Sequence, residues 1–313
     1  MDQTRAASIT ARVFESEGID VAAAAPIIAV YEAIADQIVS RARANAVPLV
    51  LGICGSQGSG KSTMARVLER ILSERDGLSV AGFSIDDIYL SSAERQRLAQ
   101  MVHPLLRTRG VPGTHDVKLG MSVMDALAGA APDTNTRVPR FDKAVDDRAP
   151  TGTWPLFQGR PDVIIFEGWC VGARPEDEAA LAEPVNELER VADPDGVWRR
   201  YVNSRLAGEY QELFARLDLL LMIRAPSFEK VFEWRQTQEH KLKARLGIGA
   251  ADASRPAGVM DDQQLEWFIR HYERLTRHIL AELPGRADMV VSLRDERLIA
   301  EFGIRDGDPH GHR

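Results

Sequence analysis

Cysteine is scarce in this sequence, and so are aromatic residues. Of the 313 residues, two are cysteine and 6% are Phe, Trp or Tyr. Cys54 and Cys170 lie far apart in the chain, without the Cys-x-x-Cys or Cys/His spacing of a metal site. The sequence therefore argues against a disulfide framework or a structural zinc site, and its cysteine usage is typical of a reducing compartment. We expect both thiols to behave as small buried apolar side chains.

An excess of positive charge and long apolar runs are also missing. The 39 Lys and Arg residues are outnumbered by 46 Asp and Glu, a formal net charge of −7, which argues against general binding to nucleic acid or to an anionic membrane. The apolar runs have strand length, well below the roughly 18–20 residues that span a bilayer. Residues 1–20 lack the apolar core of a signal peptide. We expect a cytoplasmic enzyme, and a monomer because no heptad seam is visible.

The sequence does contain apolar runs that alternate with helical stretches. Runs of strand length lie at residues 48–54, 78–85, 162–166, 217–223 and 289–293, with helical spacing of apolar residues between most of them. Nearly continuous apolar runs are typical of a parallel sheet covered on both faces. We therefore expect an α/β, doubly wound fold with a mainly parallel five-stranded sheet flanked by helices.

The length favours one elaborated domain over two. We expect a helical N-terminal extension over residues 1–46, the main domain over 47–300 and a flexible tail over 301–313. Residues 102–160 are rich in Pro, Gly, Arg and Asp and lack clear periodicity. A segment of this length without regular structure is usually functional or disordered.

A glycine-rich segment directly follows the first apolar run. It fits G-x-x-x-x-G-K-[ST] and comprises, with the adjoining threonine, Gly55, Ser56, Gln57, Gly58, Ser59, Gly60, Lys61, Ser62 and Thr63. Its glycines let backbone N–H groups point at phosphate oxygens, while Lys61 reaches the β- and γ-phosphates and the Ser62 hydroxyl ligates Mg²⁺. Because the segment lies between a strand and an amphipathic helix, we interpret it as a P-loop that binds a nucleoside triphosphate with Mg²⁺, rather than as a plain helix-capping turn.

Acidic residues follow two further strands. Asp86 and Asp87 come after the second apolar run, and Glu167 comes after the third. Ligands of open α/β sheets bind at the carboxyl ends of the strands. There Asp86 would accept the proton of an attacking hydroxyl, and Glu167 would hold the water shell of Mg²⁺. Asp87 and the nearby Tyr89 are candidates for acceptor contacts, although a turn or helix-cap role is the alternative for an Asp pair.

Cations collect in the irregular middle segment of this acidic protein. Arginine pairs with carboxylates in a bidentate way, so the segment favours a small anionic acceptor, and a solvated loop of mixed charge is the alternative. The candidate acceptor contacts are Arg109, His115, Asp116, Arg140, Asp142 and Lys143.

A basic helix is predicted from Ser227 to Arg245, before a loop over residues 247–259 and a helix that Asp261 caps with Gln264. Phosphoryl transfer needs cations that close over the γ-phosphate as charge develops. Arg235 is the catalytic candidate on this helix, as part of a lid. A solvated basic face is the alternative, more so for the cations further along, which are Lys241, Lys243 and Arg245.

Several segments, taken in order, resemble a known family. They are LGICGSQGSGKST, FSIDDIYL, GVPGTHDVKLG, VPRFDKAVDDRAP and VIIFEGWCVG. Over residues 47–296 the chain resembles the D-glycerate 3-kinases of plant type and their fungal and bacterial relatives. The S-x-D-D-x-Y and E-G segments are shared with uridine kinases, phosphoribulokinases and bacterial pantothenate kinases, whereas G-T-H-D and P-R-[FY]-D-K point to the glycerate kinase branch.

The resemblance implies ATP-dependent phosphorylation of D-glycerate to 3-phosphoglycerate. It also implies that Asp86 is the catalytic base and that Glu167 is the Walker B acid. The phosphates and Mg²⁺ would be held by Lys61 and Ser62. The acceptor pocket and the lid would be formed by His115, Asp116, Arg140, Lys143 and Arg235.

Two other functions fit the same residues. The first is the same chemistry on another alcohol, such as a nucleoside, pantothenate or a sugar phosphate. A nucleoside requires an aromatic stacking slot, which Phe141 and Tyr89 would supply. The second is a regulatory P-loop ATPase that acts on a protein partner, with a water-positioning Gln and a partner's Arg in place of a base at Asp86.

Overall fold

The computed structural model describes residues 2–21, 27–245 and 260–305, and its centre is a β-sheet. The strands are β1 (Leu49–Gly55), β2 (Val80–Ser84), β3 (Asn135–Arg137), β4 (Phe141–Asp142), β5 (Asp147–Arg148), β6 (Leu156–Gln158), β7 (Val163–Gly168), β8 (Leu219–Arg224), β9 (Met289–Leu293) and β10 (Ile299–Ile304). The α-helices are α1 (Asp2–Glu17), α2 (Ile28–Ala44), α3 (Lys61–Arg70), α4 (Ser92–Met101), α5 (Val117–Ala128), α6 (Glu187–Ala192), α7 (Val197–Ala207), α8 (Glu209–Phe214), α9 (Phe228–Arg245) and α10 (Asp262–Glu282). Short 3₁₀ turns lie at Ile85–Ile88, Pro104–Arg107, Thr151–Thr153, Glu178–Leu181 and Leu283–Gly285, and a π-turn at Ile71–Arg75 extends α3.

The main sheet has six strands in the order β10-β9-β8-β1-β7-β2. All except β10 are parallel, and they are the five apolar runs of the sequence. The predicted α/β fold with a mainly parallel sheet is therefore confirmed. In the sheet register Ser84 is level with Glu167 and Cys54 with Gly168. The residues that follow β1, β2 and β7 consequently meet at one edge of the sheet.

The sixth strand, β10, is one more than the sequence predicts, and it places residues 301–304 in the sheet rather than in a tail. It pairs with β9 as an antiparallel hairpin, with Arg297 of the connection at a φ of 65°. Its residues are half-buried or exposed, so no continuous apolar run marks this strand in the sequence. The rest of the predicted tail, residues 306–313, lies outside the described residues.

Helices cover both faces of the sheet. On one face α1, α2 and α3 pack over the central strands, where Ile9, Ile34 and Ile38 join the same apolar cluster as Leu51 and Ile53. On the other face α5, α8 and α10 supply a second cluster. The described part of the helical N-terminal segment therefore shares its hydrophobic core with the sheet.

Truncation of Ile34 tests this shared core. Ile34 is fully buried, and removing its methyl groups leaves a cavity, so Ile34→Ala is expected to lower the free energy of unfolding by about 2–5 kcal/mol. Denaturant unfolding beside Ser40→Ala, at an exposed position of the same helix, measures the difference. Equal stability of the two variants would contradict a core shared between α2 and the sheet.

Residues 102–160 contain more regular structure than their sequence indicates. The helix α5 lies within this segment, and Asp116 Oδ1 begins it by accepting the Leu119 N–H at 3.0 Å. A glycine, Gly120, interrupts its apolar pattern, because a Cβ there would meet Ile88 Cδ1 at 2.9 Å. The expectation of an irregular segment is therefore wrong for residues 117–128.

The predicted helix starts agree with the structure. Asp261 and Gln264 form a capping box at α10, and α9 spans the predicted basic helix. The predicted loop over 247–259 lies outside the described residues. Within residues 2–21, 27–245 and 260–305, no helix is long and apolar enough to cross a membrane.

Candidate active site

The phosphate loop connects β1 to α3. Gly60 precedes α3 with a φ of 88°, and among the described residues no side chain caps the first turn of this helix. Its N–H groups and the positive end of its dipole are thus directed at an anion site. Gly58, with a φ of 78°, lies against α9, because a Cβ there would come within 2.9 Å of Trp234 Cβ. The loop is therefore held between its own strand and the predicted lid helix.

Two buried hydroxyl groups of this loop lack a protein partner. Ser56 Oγ and Ser59 Oγ are enclosed, and neither bonds to any residue that the structure describes. Buried hydroxyls of native proteins nearly always have a hydrogen-bond partner. Phosphate oxygens would satisfy both groups, so the loop fits a triphosphate. Gln57 is half-buried between these serines.

The threonine that adjoins the motif contacts the N-terminal helix. Thr63 Oγ1 donates to Glu17 Oε2 at 2.5 Å, and Glu17 Oε1 accepts from Arg66 at 2.7 Å. The end of α1 is therefore bonded to the first two turns of α3. This protein contact of the Thr63 side chain has no signal in the sequence, because more than forty residues separate the partners.

A hydroxyl and a carboxylate meet beside the loop in a way that fits Mg²⁺. Ser62 Oγ donates to Glu167 Oε1 at 2.9 Å. Glu167 Oε2 is buried and has no hydrogen-bond partner within the described part of the chain. Oxygen ligands are those that Mg²⁺ prefers, usually one or two carboxylates together with substrate phosphates and water. Ser62 and Glu167 are thus the residues of this site that could hold the ion.

Asp86 lies in the 3₁₀ turn that follows β2, and both of its oxygens are hydrogen-bonded. Tyr89 donates its hydroxyl to Oδ1 at 2.7 Å, and Lys143 Nζ donates to Oδ2 at 2.7 Å. Burial alone would raise the pKa of Asp86, but the ammonium groups of Lys143 and Lys61 and the two hydrogen bonds outweigh it and hold the pKa well below its usual range. Asp86 is therefore an ionised carboxylate close to the P-loop lysine.

Asp87 has the turn role that the sequence left as an alternative. Its Oδ2 accepts the Ser84 N–H at 2.9 Å, in a capping box that holds the 3₁₀ turn. Burial raises the pKa of Asp87, although the Ser84 bond and the Arg140 guanidinium act against it. Asp87 therefore positions the turn that carries Asp86. Tyr89 is 3% exposed, so its hydroxyl orients Asp86 while its ring offers no open face.

His115 supports this turn from the neighbouring loop. Its ring stacks on Tyr89 with centroids 4.7 Å apart. Its Nδ1 lies 2.6 Å from the Tyr210 hydroxyl, which also accepts the Gly113 N–H at 2.8 Å. Burial lowers the pKa of His115 to about 3, so the imidazole is neutral at physiological pH. The structure thus places His115 next to Tyr89 as a buried neutral support.

The two remaining acids of the predicted acceptor set each accept a hydrogen bond from a nearby backbone N–H. Asp116 caps α5 and pairs with Arg148 at 3.2 Å. Asp142 is exposed, and its Oδ1 accepts the Ala144 N–H at 2.9 Å within the β4–β5 turn. Both side chains therefore shape the loops around Asp86, and Arg148 joins the group as a cation.

The predicted cations gather around Phe141. Arg109 bonds to Asp146, and its guanidinium lies 5.6 Å from the Phe141 ring centroid. Arg140 lies 3.6 Å from Asp87 and donates to the Pro139 carbonyl. The structure thus brings Arg109, Arg140 and Lys143 to the same end of the sheet as Asp86.

Arg235 projects from α9 close to the acceptor loop. Its Nη1 pairs with Glu239 Oε2 at 2.8 Å, and Glu239 is fully buried. Burial and the Asp86 carboxylate raise the pKa of Tyr272, and the guanidinium groups of Arg109 and Arg235 act against this rise. The Tyr272 hydroxyl donates to the Arg109 carbonyl. Arg235 therefore lies on the side of α9 that faces the site. The side chains of Lys241, Lys243 and Arg245 lie outside the described residues.

The structure adds functional neighbours that sequence reasoning missed. Arg95 is 1% exposed and bonds to Asp146 at 2.7 Å. Its guanidinium lies 5.6 Å from the Phe141 ring centroid. Tyr210 anchors His115 from α8. An arginine in a helix of mixed charge gives no sign that it is buried. Ser91 and Glu94 form a capping box at the start of α4, a local pattern that says nothing about the partner of Arg95.

Comparisons with known proteins relate the chain to kinases. No family model matches the chain. The chain is similar to a protein of Schizosaccharomyces pombe named uncharacterized kinase mug58, with 36% identity over 234 residues that cover 72% of this chain and 78% of the yeast protein. It is also similar to the chloroplastic D-glycerate 3-kinase of Arabidopsis thaliana, with 29% identity over 267 residues, 80% of this chain and 53% of the plant protein.

A solved structure shows the same similarity in three dimensions. The D-glycerate 3-kinase of Cryptococcus neoformans var. grubii superposes with a TM-score of 0.71 and 25% sequence identity. The match covers 88% of this chain and 99% of the fungal chain. The similarity therefore spans most of this chain and nearly all of the fungal chain.

Proposed function

The chain belongs to the P-loop kinase family that contains the D-glycerate 3-kinases, as its motifs predict, and we propose that it phosphorylates D-glycerate. The phosphoryl donor is ATP, and the product is 3-phospho-D-glycerate. The chain is a small-molecule kinase, as its relatives are kinases that include D-glycerate 3-kinases. The acceptor and the hydroxyl that reacts are our proposal.

One observation supports the proposal most strongly. The carboxylate of Asp86 lies within the electrostatic reach of Lys61 and is bonded to Lys143. Asp86 follows β2, which pairs with β7, the strand that carries Glu167. A base, a phosphate-binding lysine and an acceptor-side cation thus converge at one sheet edge. A water-activating ATPase does not need the cations on the acceptor side.

The proposed reaction is an in-line phosphoryl transfer. The loop N–H groups and Lys61 position the triphosphate, and Mg²⁺ bound to Ser62 and Glu167 would neutralise charge on its β- and γ-phosphates. Asp86 orients the C3 hydroxyl of glycerate and accepts its proton as the hydroxyl oxygen bonds to the γ-phosphorus. The bond from that phosphorus to the bridging oxygen breaks, and ADP leaves with the electron pair. Arg235 stabilises the developing charge.

The cation that holds the glycerate carboxylate is proposed to be Arg140. Arg109 is bonded to Asp146, its guanidinium lies over the Phe141 ring, and its side chain is 24% exposed. The contact of Arg140 to Asp87 is long, at 3.6 Å, and its side chain is 41% exposed. A guanidinium with this freedom can pair with a carboxylate through two parallel hydrogen bonds.

A nucleoside acceptor fits the aromatic residues less well. The guanidinium groups of Arg95 and Arg109 each lie 5.6 Å from the centroid of the Phe141 ring. The Phe141 and Tyr89 rings make a T-shaped contact with centroids 5.1 Å apart. Tyr89 itself is stacked on His115. The rings that would form a stacking slot therefore already have partners.

An acceptor panel tests the proposal. ADP release from Mg²⁺-ATP is measured with D-glycerate, L-glycerate, uridine, pantothenate and no acceptor, and the product is identified by ³¹P NMR. We expect strong turnover with D-glycerate, selectivity over the L-enantiomer and a 3-phosphate product. Turnover with another acceptor would keep the kinase chemistry and overturn the glycerate assignment, whereas acceptor-independent hydrolysis would favour a regulatory ATPase.

A further inference from the structure

The proposed base, Asp86, already forms an ion pair with Lys143. Lys143 Nζ lies 2.7 Å from Asp86 Oδ2, while the Tyr89 hydroxyl takes Oδ1. A carboxylate with charged and neutral donors on both oxygens has a reduced affinity for a further proton. The same contact that orients Asp86 therefore weakens it as an acceptor of the substrate proton.

The other cations of the site pair with acids that have structural roles. Arg148 pairs with Asp116, which caps α5, and Arg140 lies near Asp87, which caps the 3₁₀ turn. Arg109 pairs with Asp146, which Arg95 also holds. A change of partner at these cations leaves the base as it is, whereas a change of partner at Lys143 alters it directly.

Lys143 is also the cation with the most freedom to change partner. Its side chain is 61% exposed, compared with 24% for Arg109 and 24% for Arg148. It begins the turn of the Lys143 hairpin, residues 141–148, whose two strands are two residues long each. A hairpin this short has little stability of its own. The ammonium group of Lys143 is also carried on a flexible four-carbon stem, so it can reach a new partner.

We propose that Lys143 determines specificity for anionic acceptors by exchanging Asp86 for the acceptor's carboxylate, which it then shares with Arg140. The exchange frees Asp86 to take the hydroxyl proton. The exchange replaces one carboxylate partner by another, so it loses little electrostatic energy. A neutral acceptor offers no such partner and leaves Asp86 paired. This inference rests on the proposed function and extends it, since it links recognition of the acceptor's charge to activation of the base.

A matched pair of acceptors tests the exchange. Values of kcat/KM are measured for D-glycerate and for its neutral isostere D-glyceramide, with the wild type, Lys143→Met and Lys143→Arg. The wild type is expected to prefer D-glycerate. Lys143→Met is expected to lower kcat/KM for D-glycerate by about 10- to 100-fold, the size of a lost charged hydrogen bond, without lowering that for D-glyceramide. Lys143→Arg is expected to restore most of the preference.

Structural damage gives a different pattern from the exchange. If Lys143→Met lowers kcat/KM for both acceptors by the same factor, or if the wild type does not distinguish them, the inference is overturned. A direct readout is NMR of the protein labelled with [¹³Cε]lysine. The chain has six lysines, and the signal that Lys143→Arg removes is that of Lys143. D-glycerate is expected to shift this signal and D-glyceramide to leave it unchanged.

Failure of the proposed function is distinguishable from failure of this inference. If D-glycerate is turned over but the Lys143 signal does not move, the exchange is overturned while the kinase assignment stands. If the panel identifies another acceptor, the two measurements are repeated with that compound and its neutral or charged counterpart. An anionic acceptor that moves the Lys143 signal supports the exchange, a neutral acceptor overturns it, and turnover of no acceptor overturns both proposals.

Discussion

Replacement of Asp86 by asparagine is expected to lower kcat by about 10²- to 10⁴-fold, the range of a lost general base. An amide has nearly the size of the carboxylate and can still accept the Tyr89 hydroxyl, so the turn is expected to keep its structure. It cannot accept the acceptor's proton. Affinity for ATP is expected to persist, because the phosphate loop is on a different strand end. Steady-state kinetics and calorimetric titration with ATP measure the two properties.

The neighbouring carboxylate provides the matched control. Asp87→Asn removes the same charge one residue away, and asparagine caps a helix about as well as aspartate, so the 3₁₀ turn is retained. This variant is expected to keep most of its turnover. Near-normal turnover of Asp86→Asn would contradict its role as the base. An equal loss in both variants would mean that the paired carboxylates act as one unit.

The parts of the site that could be predicted from the sequence are those with local causes. The phosphate loop is one contiguous segment, and its glycines are required by positive φ at Gly58 and Gly60. Asp86 and Glu167 each follow a continuous apolar run, and parallel strands bring their carboxyl ends to the same edge. The register of β2 and β7 then places Glu167 level with Ser84. These positions follow from strand assignment without knowledge of any side-chain contact.

The pairing of the cations could not be predicted in this way. Lys143 and Asp86 are 57 residues apart in sequence, and Arg95 and Asp146 are 51 apart. The partner of each depends on how the Lys143 hairpin folds over the 3₁₀ turn, and composition shows only a mixture of opposite charges. Composition likewise does not show that Asp116 and Asp142, which the sequence predicts as acceptor contacts, accept hydrogen bonds from the nearby backbone N–H groups of Leu119 and Ala144.

The weakest structural predictions concern segments without a continuous apolar pattern. The strand β10 has no fully buried residue, and its place in the sheet comes from pairing with β9. In α5 the apolar pattern is interrupted by Gly120, where the absence of a Cβ leaves room for the Ile88 side chain. Ile88 ends the 3₁₀ turn that contains Asp86. Both elements are specified by contacts with distant parts of the chain, which periodicity does not report.

Replacement of Lys61 by alanine is expected to be the other large effect, with kcat lower by about 10²- to 10³-fold, as for removal of one preorganised charge at a developing anion. Lys61 begins α3 directly after Gly60, and among the described residues it pairs with no carboxylate, so its ammonium is available to phosphate. Affinity for ATP is expected to fall as well, since the β- and γ-phosphates lose a cation. Kinetics at saturating acceptor and titration with ATP measure both effects.

Arg70→Ala is the matched control for Lys61→Ala. Arg70 ends the same helix, is 63% exposed and pairs with Glu74 at the surface, so its loss removes an equal charge away from the sheet edge. Turnover and ATP affinity of this variant are expected to remain near those of the wild type. Turnover of Lys61→Ala within a few-fold of that of Arg70→Ala would mean that the phosphate loop does not hold the transferred phosphate. Asp86 would then have no phosphoryl donor beside it.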